Sequence, residues 1–162
     1  MVEVAHITHA QSVITFLQQR KETVAVAESL TAGGLGHALT EIPGASEVFL
    51  GGVIAYSSNV KINWLGVLPR SIENHSVVSE KVAIEMAEGA RSKFGATWAI
   101  ATTGIAGPSD YEGIAAGTVW IAIAGPIHQT LHLQLDGGRD QVREGAISSA
   151  IGTFARILSG YE

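Results

Sequence analysis

Glu28, Ser29 and Thr31 fall in a stretch, residues 24–34, where an apolar run ends in an acid, two hydroxyls and the pair Gly33-Gly34. That composition suits a reactive or anion-binding turn. Glycines let the backbone approach a ligand with no side chain between, and a helix beginning there presents free N–H groups to negative charge. An ordinary strand-to-helix turn, with Ser29 or Thr31 as the helix cap, has the same composition. If Ser29 is a nucleophile it needs a base. No histidine falls in a catalytic pattern, so the candidate activators are Tyr56 and Lys61. Lysine serves only when neutral, which requires its pKa to fall by about three units, worth roughly 4 kcal/mol of desolvation or nearby positive charge. Arg143 is placed to supply part of that charge. The alternative for Lys61 is a solvated lysine at the start of a short helix.

The sequence Ala27-Glu28-Ser29-Leu30-Thr31 lacks both glycines of the G-x-S-x-G elbow, which disfavours a Ser-His-Asp hydrolase. Backbone N–H groups around Ala32, Gly33 and Gly34, or at Gly104, are candidates for an oxyanion hole. Ser46 and Thr103 are candidates for binding substrate hydroxyls or phosphate, with turn or cap roles as the plain alternative. Arg139 and Arg143 follow Asp136-Gly137-Gly138 and fall in the first turns of the last expected helix, where the helix dipole disfavours cations. Either nearby acids (Asp136, Asp140, Glu144) or a substrate phosphate on Arg143 answers that conflict. The histidines form no strong metal spacing, and no metal is expected. Trp64, Trp98 and Trp120 read as core residues, and Tyr111 as a residue of a lid.

Composition narrows the class of protein. The chain has 162 residues, of which 46% are hydrophobic and only 15% charged, so one domain with a well-buried core is expected, spanning 1–162. A net charge of -5 argues against nucleic acid or an anionic membrane as the main partner. With no cysteine there is neither disulfide nor thiolate chemistry, which leaves hydroxyls. The first residues lack the basic and apolar regions of a secretory signal. The apolar run at 115–127 is broken by Gly117, Gly125 and Pro126 and is shorter than the roughly 18 residues a membrane span needs. A cytoplasmic protein is the expectation.

The elements that must position these groups follow from hydrophobic period. Thr8-His9-Ala10-Gln11 has capping-box spacing, predicting a helix over 9–20. Residues 23–27 predict a strand covered on both faces, as in a parallel sheet. A helix over 33–40 and a strand over 48–56 follow. Ser79-Glu80 starts a helix that runs to about 94, and a strand covers 97–102. Residues 117–124 and 127–135, joined at Gly125-Pro126, predict an antiparallel hairpin, and a closing helix carries Val142, Ala146, Ala150, Phe154 and Leu158 on one stripe. Alternating helices and strands imply a three-layer α/β/α sandwich around a mixed, mostly parallel sheet of about five strands. In such sheets sites form beyond the carboxyl ends of strands, so Glu28-Ser29, Tyr56-Ser57 and Thr103-Gly104 should converge on one crevice.

The stretch around Ser29 also resembles the ESxTGG signature of the CinA C-terminal domain family, the nicotinamide-nucleotide amidases. Further matches follow in the same order: Pro43-Gly44-Ala45-Ser46, then Gly51-Gly52-Val53-Ile54-Ala55-Tyr56-Ser57 with Lys61, Val78-Ser79-Glu80 with Met86-Ala87-Glu88-Gly89-Ala90-Arg91, and Thr103-Gly104-Ile105-Ala106-Gly107-Pro108 before Gly117-Thr118-Val119. The resemblance covers residues 8–158 and implies the same three-layer architecture. It implies hydrolysis of the carboxamide of nicotinamide mononucleotide, without cofactor, by a homo-oligomer of a stand-alone domain. Ser29 then attacks, Tyr56 and Lys61 handle protons, and Thr31, Gly33, Gly34, Ser46, Thr103, Gly104 and Arg143 surround the nucleotide. Three features depart from the family pattern: Leu30 for a frequent cysteine, Ala32 for the first glycine, and the whole segment 109–116. The rival expectation is a non-catalytic nucleotide-binding or protein-interaction module linked to competence and recombination.

Overall fold

Along three central strands, large and small side chains alternate with the pleat. In β1 (Val24–Glu28), β3 (Trp98–Gly104) and β4 (Thr118–Ala124), Val24, Val26, Trp98, Ile100, Val119, Ile121 and Ile123 point to one face. Ala27, Ala99, Ala101, Ala122 and Ala124 point to the other. Successive strand residues project to opposite sides, so this alternation creates one bulky face and one nearly flat one. Both are buried, because helices cover the sheet on each side.

The computed structural model describes residues 2–160. Five strands lie in the order β2-β1-β3-β4-β5, with β2 spanning Phe49–Ile54 and β5 spanning Gln129–Gln134. β1 pairs in parallel with both β2 and β3, while β3–β4 and β4–β5 are antiparallel. Four strands therefore run one way and only β4 opposes them. Against the bulky face pack α1 (Val2–Arg20), α2 (Gly34–Thr40) and α6 (Arg139–Gly160); against the alanine face pack α3 (Ser58–Leu65), α4 (Pro69–His75) and α5 (Glu80–Phe94). The three-layer α/β/α sandwich expected from the sequence is the observed fold.

Caps account for the middle helices. Ser79 Oγ accepts the Val82 N–H at the start of α5, and Gly95 closes it in the left-handed conformation. Ser57 Oγ does the same for α3 through Val60 N. Two expectations are corrected. The chain is already helical at Val2, so Thr8 lies inside α1 and not at its cap. The helix α4 went unforeseen, although Pro69 occupies the first-turn position that proline favours.

One close contact on each face sets how the helices approach the sheet. The alanine face lets α5 lie low, and at Gly89 on α5 an added Cβ would stand 1.8 Å from the Leu65 carbonyl oxygen, so α3 crosses α5 backbone to backbone. Trp98 is fully buried and meets Phe154 of α6 edge-on, with ring centroids 5.4 Å apart. Trp120 stacks on His132, whereas Trp64 is 58% exposed with Lys93 over its ring, contrary to the core position expected for it.

Candidate functional site

Strand order directs the chain out of β1 toward β2 on one side and out of β3 toward β4 on the other. The carboxyl ends of β1 and β3 thus flank the point where connections diverge, which is where open sheets form a crevice. A cavity of about 520 Å³ opens there, lined by Ser29, Tyr56, Lys61, Thr103 and Gly104 among others. The three motifs expected to converge do so.

Pleat parity sorts the residues of each motif. Glu28 pairs in register with Thr102, and both face α2. Glu28 Oε1 accepts from Thr31 Oγ1 (2.6 Å) and Leu35 N (2.8 Å), and Oε2 accepts from Gly36 N (3.0 Å). Its carboxylate thereby caps α2, a favourable place for negative charge. Thr31 Oγ1 also lies 2.8 Å from Thr102 Oγ1, and Thr31 is fully buried beneath the helix. Ser29 and Thr103, one residue further on, face the alanine side and the cavity. Ser29 N donates to the Thr102 carbonyl, which holds the serine at the strand end.

Lys61 comes from α3, whose start follows directly on β2. It is 1% exposed, and its Nζ lies 2.8 Å from Ser29 Oγ. Nζ also donates to the carbonyl oxygens of Ala55 (2.7 Å) and Tyr56 (3.2 Å). Burial disfavours the charged form and lowers the Lys61 pKa from 10.5 to about 8. Two of its neighbours are carbonyls that only accept, while the third is a hydroxyl that can also donate. In the neutral amine two N–H groups therefore satisfy the carbonyls and the lone pair faces Ser29 Oγ.

Other expected residues take different places. Arg143 Nε donates to the Leu30 carbonyl at 3.0 Å and its Nη2 lies 3.5 Å from that of Thr31, so Arg143 clamps the turn behind Ser29 and is not on the cavity wall. The carbonyls also answer its conflict with the α6 dipole. Arg139, one helical turn earlier, lines the cavity: Nη1 donates to Gly107 O at 2.6 Å and Nη2 to the Tyr56 hydroxyl at 3.2 Å. Tyr56 meets Lys61 through its carbonyl, and its hydroxyl points to Arg139.

Gly33 and Gly34 lie outside the cavity. Gly33 adopts φ 95° before α2, and a Cβ on Gly34 would meet Ile147 Cδ1 at 2.6 Å, so the pair serves a left-handed turn and close packing of α2 on α6. The N–H groups of Ala32 and Gly34 already donate to Ser29 O and Thr31 O. Among the described residues the Leu30 N–H, one peptide beyond Ser29, takes part in no such bond, so it is left as a backbone donor beside Ser29 where Ala32 and Gly34 are not. Ser46 is exposed on the 3-10 turn Ala45–Glu47, beside the amino end of β1, where Val24 N donates to Val48 O. It lies at the opposite end of the sheet from Ser29, because it precedes β2. Thr103 Oγ1 donates to the Val77 carbonyl at 2.9 Å, tying the α4–α5 connection to the cavity wall. Among the described residues no cluster of metal-ligating side chains occurs, and no helix is long and apolar enough to cross a membrane.

The model of the CinA C-terminal domain matches residues 6–158. The chain belongs to that family. A CinA-like protein from Prochlorococcus marinus is 52% identical over 153 residues, covering 92% of this chain and 36% of its own length. One from Frankia casuarinae is 43% identical over 149 residues, 91% of this chain and 34% of its own. The chain thus spans about a third of the curated CinA-like relatives it matches. Among solved CinA structures, the competence damage-inducible protein A of Klebsiella pneumoniae superposes with a TM-score of 0.93 at 31% identity, covering 97% of this chain and 99% of that one. A competence/damage inducible protein from Agrobacterium tumefaciens gives 0.89 at 31% identity, with 96% of each covered. The motifs quoted from this sequence lie within the matched span of the CinA domain.

Proposed function

We propose that this CinA domain hydrolyses the carboxamide of nicotinamide mononucleotide to nicotinate mononucleotide and ammonia, with Ser29 as nucleophile and Lys61 as its base. The observation that carries the reading is the 2.8 Å approach of the buried Lys61 Nζ, its pKa lowered by desolvation to about 8, to Ser29 Oγ at the floor of the cavity. Nζ takes the Oγ proton as Oγ bonds to the amide carbon, and the Leu30 N–H receives the developing oxyanion. The C–N bond then breaks, the proton passes from Nζ to the leaving ammonia, and an ester on Ser29 remains. Water, deprotonated by the same Nζ, attacks that ester; the acyl–Oγ bond breaks, Nζ returns the proton to Ser29 Oγ, and the carboxylate leaves. Arg139, the guanidinium on the cavity wall, is the anchor for the phosphate, and its fork geometry suits that anion.

Ammonia release from nicotinamide mononucleotide by the purified protein tests the reading. Ser29→Ala is expected to abolish release with the circular dichroism spectrum and melting curve retained, because a serine at a strand end contributes little packing. Turnover near the wild-type rate in a folded Ser29→Ala protein excludes Ser29 as nucleophile. Absence of release from the wild type, with the nucleotide still bound, leaves a binding module without catalysis.

A further inference from the structure

The segment 105–117, which contains the 109–116 stretch read above as a departure from the family pattern, is a braced wall of the cavity. Tyr111 N donates to Ile114 O and Ile114 N to Tyr111 O, closing a narrow tip over Glu112-Gly113, both at positive φ. Ala116 N donates to Asp110 Oδ1 at 2.9 Å, and Gln134 Nε2 donates to Ala116 O at 2.9 Å. The base is held by Ile105 N to Thr118 O and Gly117 N to Ile105 O. So fixed, the loop presents Asp110 and the half-exposed ring of Tyr111 to the space that Ser29 and Lys61 floor.

A second ring, Tyr56, is 60% exposed on the same cavity, with its hydroxyl held by Arg139. One carboxylate oxygen of Asp110 is engaged by Ala116 N–H, and among the described residues no hydrogen bond or ion pair engages the other. Phenol faces attract cations, and a carboxylate on the same wall adds to that field. Among the described residues neither Asp110 nor Tyr111 hydrogen-bonds to Ser29 or Lys61.

We infer that Asp110 and Tyr111 are specificity-determining residues that recognise a positively charged aromatic ring, so that the cavity favours the oxidised pyridinium nucleotide over its uncharged dihydropyridine form. This rests on the proposed nicotinamide-nucleotide reading, but its measurement does not need turnover. Calorimetric titration of the Ser29→Ala protein with oxidised and reduced nicotinamide mononucleotide gives the two dissociation constants, the phosphate and ribose being common to both. The expected preference for the oxidised form is roughly tenfold, the factor that a cation–π contact with a nearby carboxylate supplies. Asp110→Asn keeps an oxygen for the Ala116 N–H but removes the charge, and Tyr111→Leu keeps apolar bulk but removes the ring. Each variant is expected to lower the preference at least threefold, and together they bring it near one. A merely structural role for the loop would weaken both nucleotides in parallel and leave the ratio standing, which overturns the inference. Equal affinities before mutation, or no binding of either form, overturn it as well. Failure of the amidase reading shows separately, as absent ammonia release from the wild type.

Discussion

Lys61 makes the site sensitive to pH in two separable ways. With its pKa near 8, kcat/KM is expected to rise about tenfold per pH unit below that value and to level above it, as the neutral amine accumulates. The effect on stability has its own sign. Burial depresses the folded-state value below the unfolded 10.5, so between about 8 and 10.5 the unfolded chain holds more protons and stability rises with pH. Below about 8 the folded protein carries the full cost of a buried ammonium, on the order of 3 kcal/mol. Lys61→Met removes the titration. Relative to that variant, wild type should gain stability from pH 7.5 to 9.5 in urea unfolding. Parallel pH profiles for the two proteins would show that Lys61 is not buried as a strained cation.

At the scale of elements, the proposed catalysis depends on how α3 is seated, because Lys61 reaches Ser29 from a different element across the carboxyl edge of the sheet. Gly89 on α5 sets that seating. A methyl there would collide with backbone, the Leu65 carbonyl, which cannot rotate aside as a side chain can. Gly89→Ala is expected to destabilise by about 2 to 3 kcal/mol, the upper part of the range of overpacking, and to lower kcat more than it raises KM as Nζ is drawn off Oγ. Chemical denaturation with steady-state kinetics on the folded fraction checks both. A variant of unchanged stability would mean that α3 and α5 can part without cost.

For the whole molecule, the sheet's two unlike faces decide where each layer can approach. The bulky face stands its helices off on branched and aromatic side chains, while the alanine face lets α5 and α3 close on the strands that carry Ser29 and Thr103. Ala101, fully buried on the flat face two residues before Thr103, probes this asymmetry. Ala101→Leu should cost about 1 to 3 kcal/mol, as additions to a packed core do. A shift of that size in the urea midpoint is expected, and an unaltered midpoint would show slack under α5.

Much of this was legible from residue order alone, and the reason is local. Apolar period, the Ser79 cap and the hairpin at Gly125-Pro126 depend on near neighbours, so strands, most helices and the layered class followed from the sequence, as did the meeting of Ser29, Tyr56 and Thr103 at strand ends. α4 does not show in the sequence because, unlike α2 of the same length with Leu35 and Leu39, it turns only Ser71 and the partly buried Ile72 inward and so carries no apolar period. Which of two arginines a turn apart on α6 faces the cavity is a different kind of question. Both have the same local sequence signal, and only the angle at which α6 crosses the sheet puts Arg139 on the wall and Arg143 on the carbonyls of Leu30 and Thr31. Likewise the glycine pair after Ser29 suited an anion cradle until Ile147, distant in sequence, was found packed against it. Tertiary packing also decided the state of Lys61: no neighbour in sequence removes water from an ammonium, and it took β1, β2 and α3 together to do so.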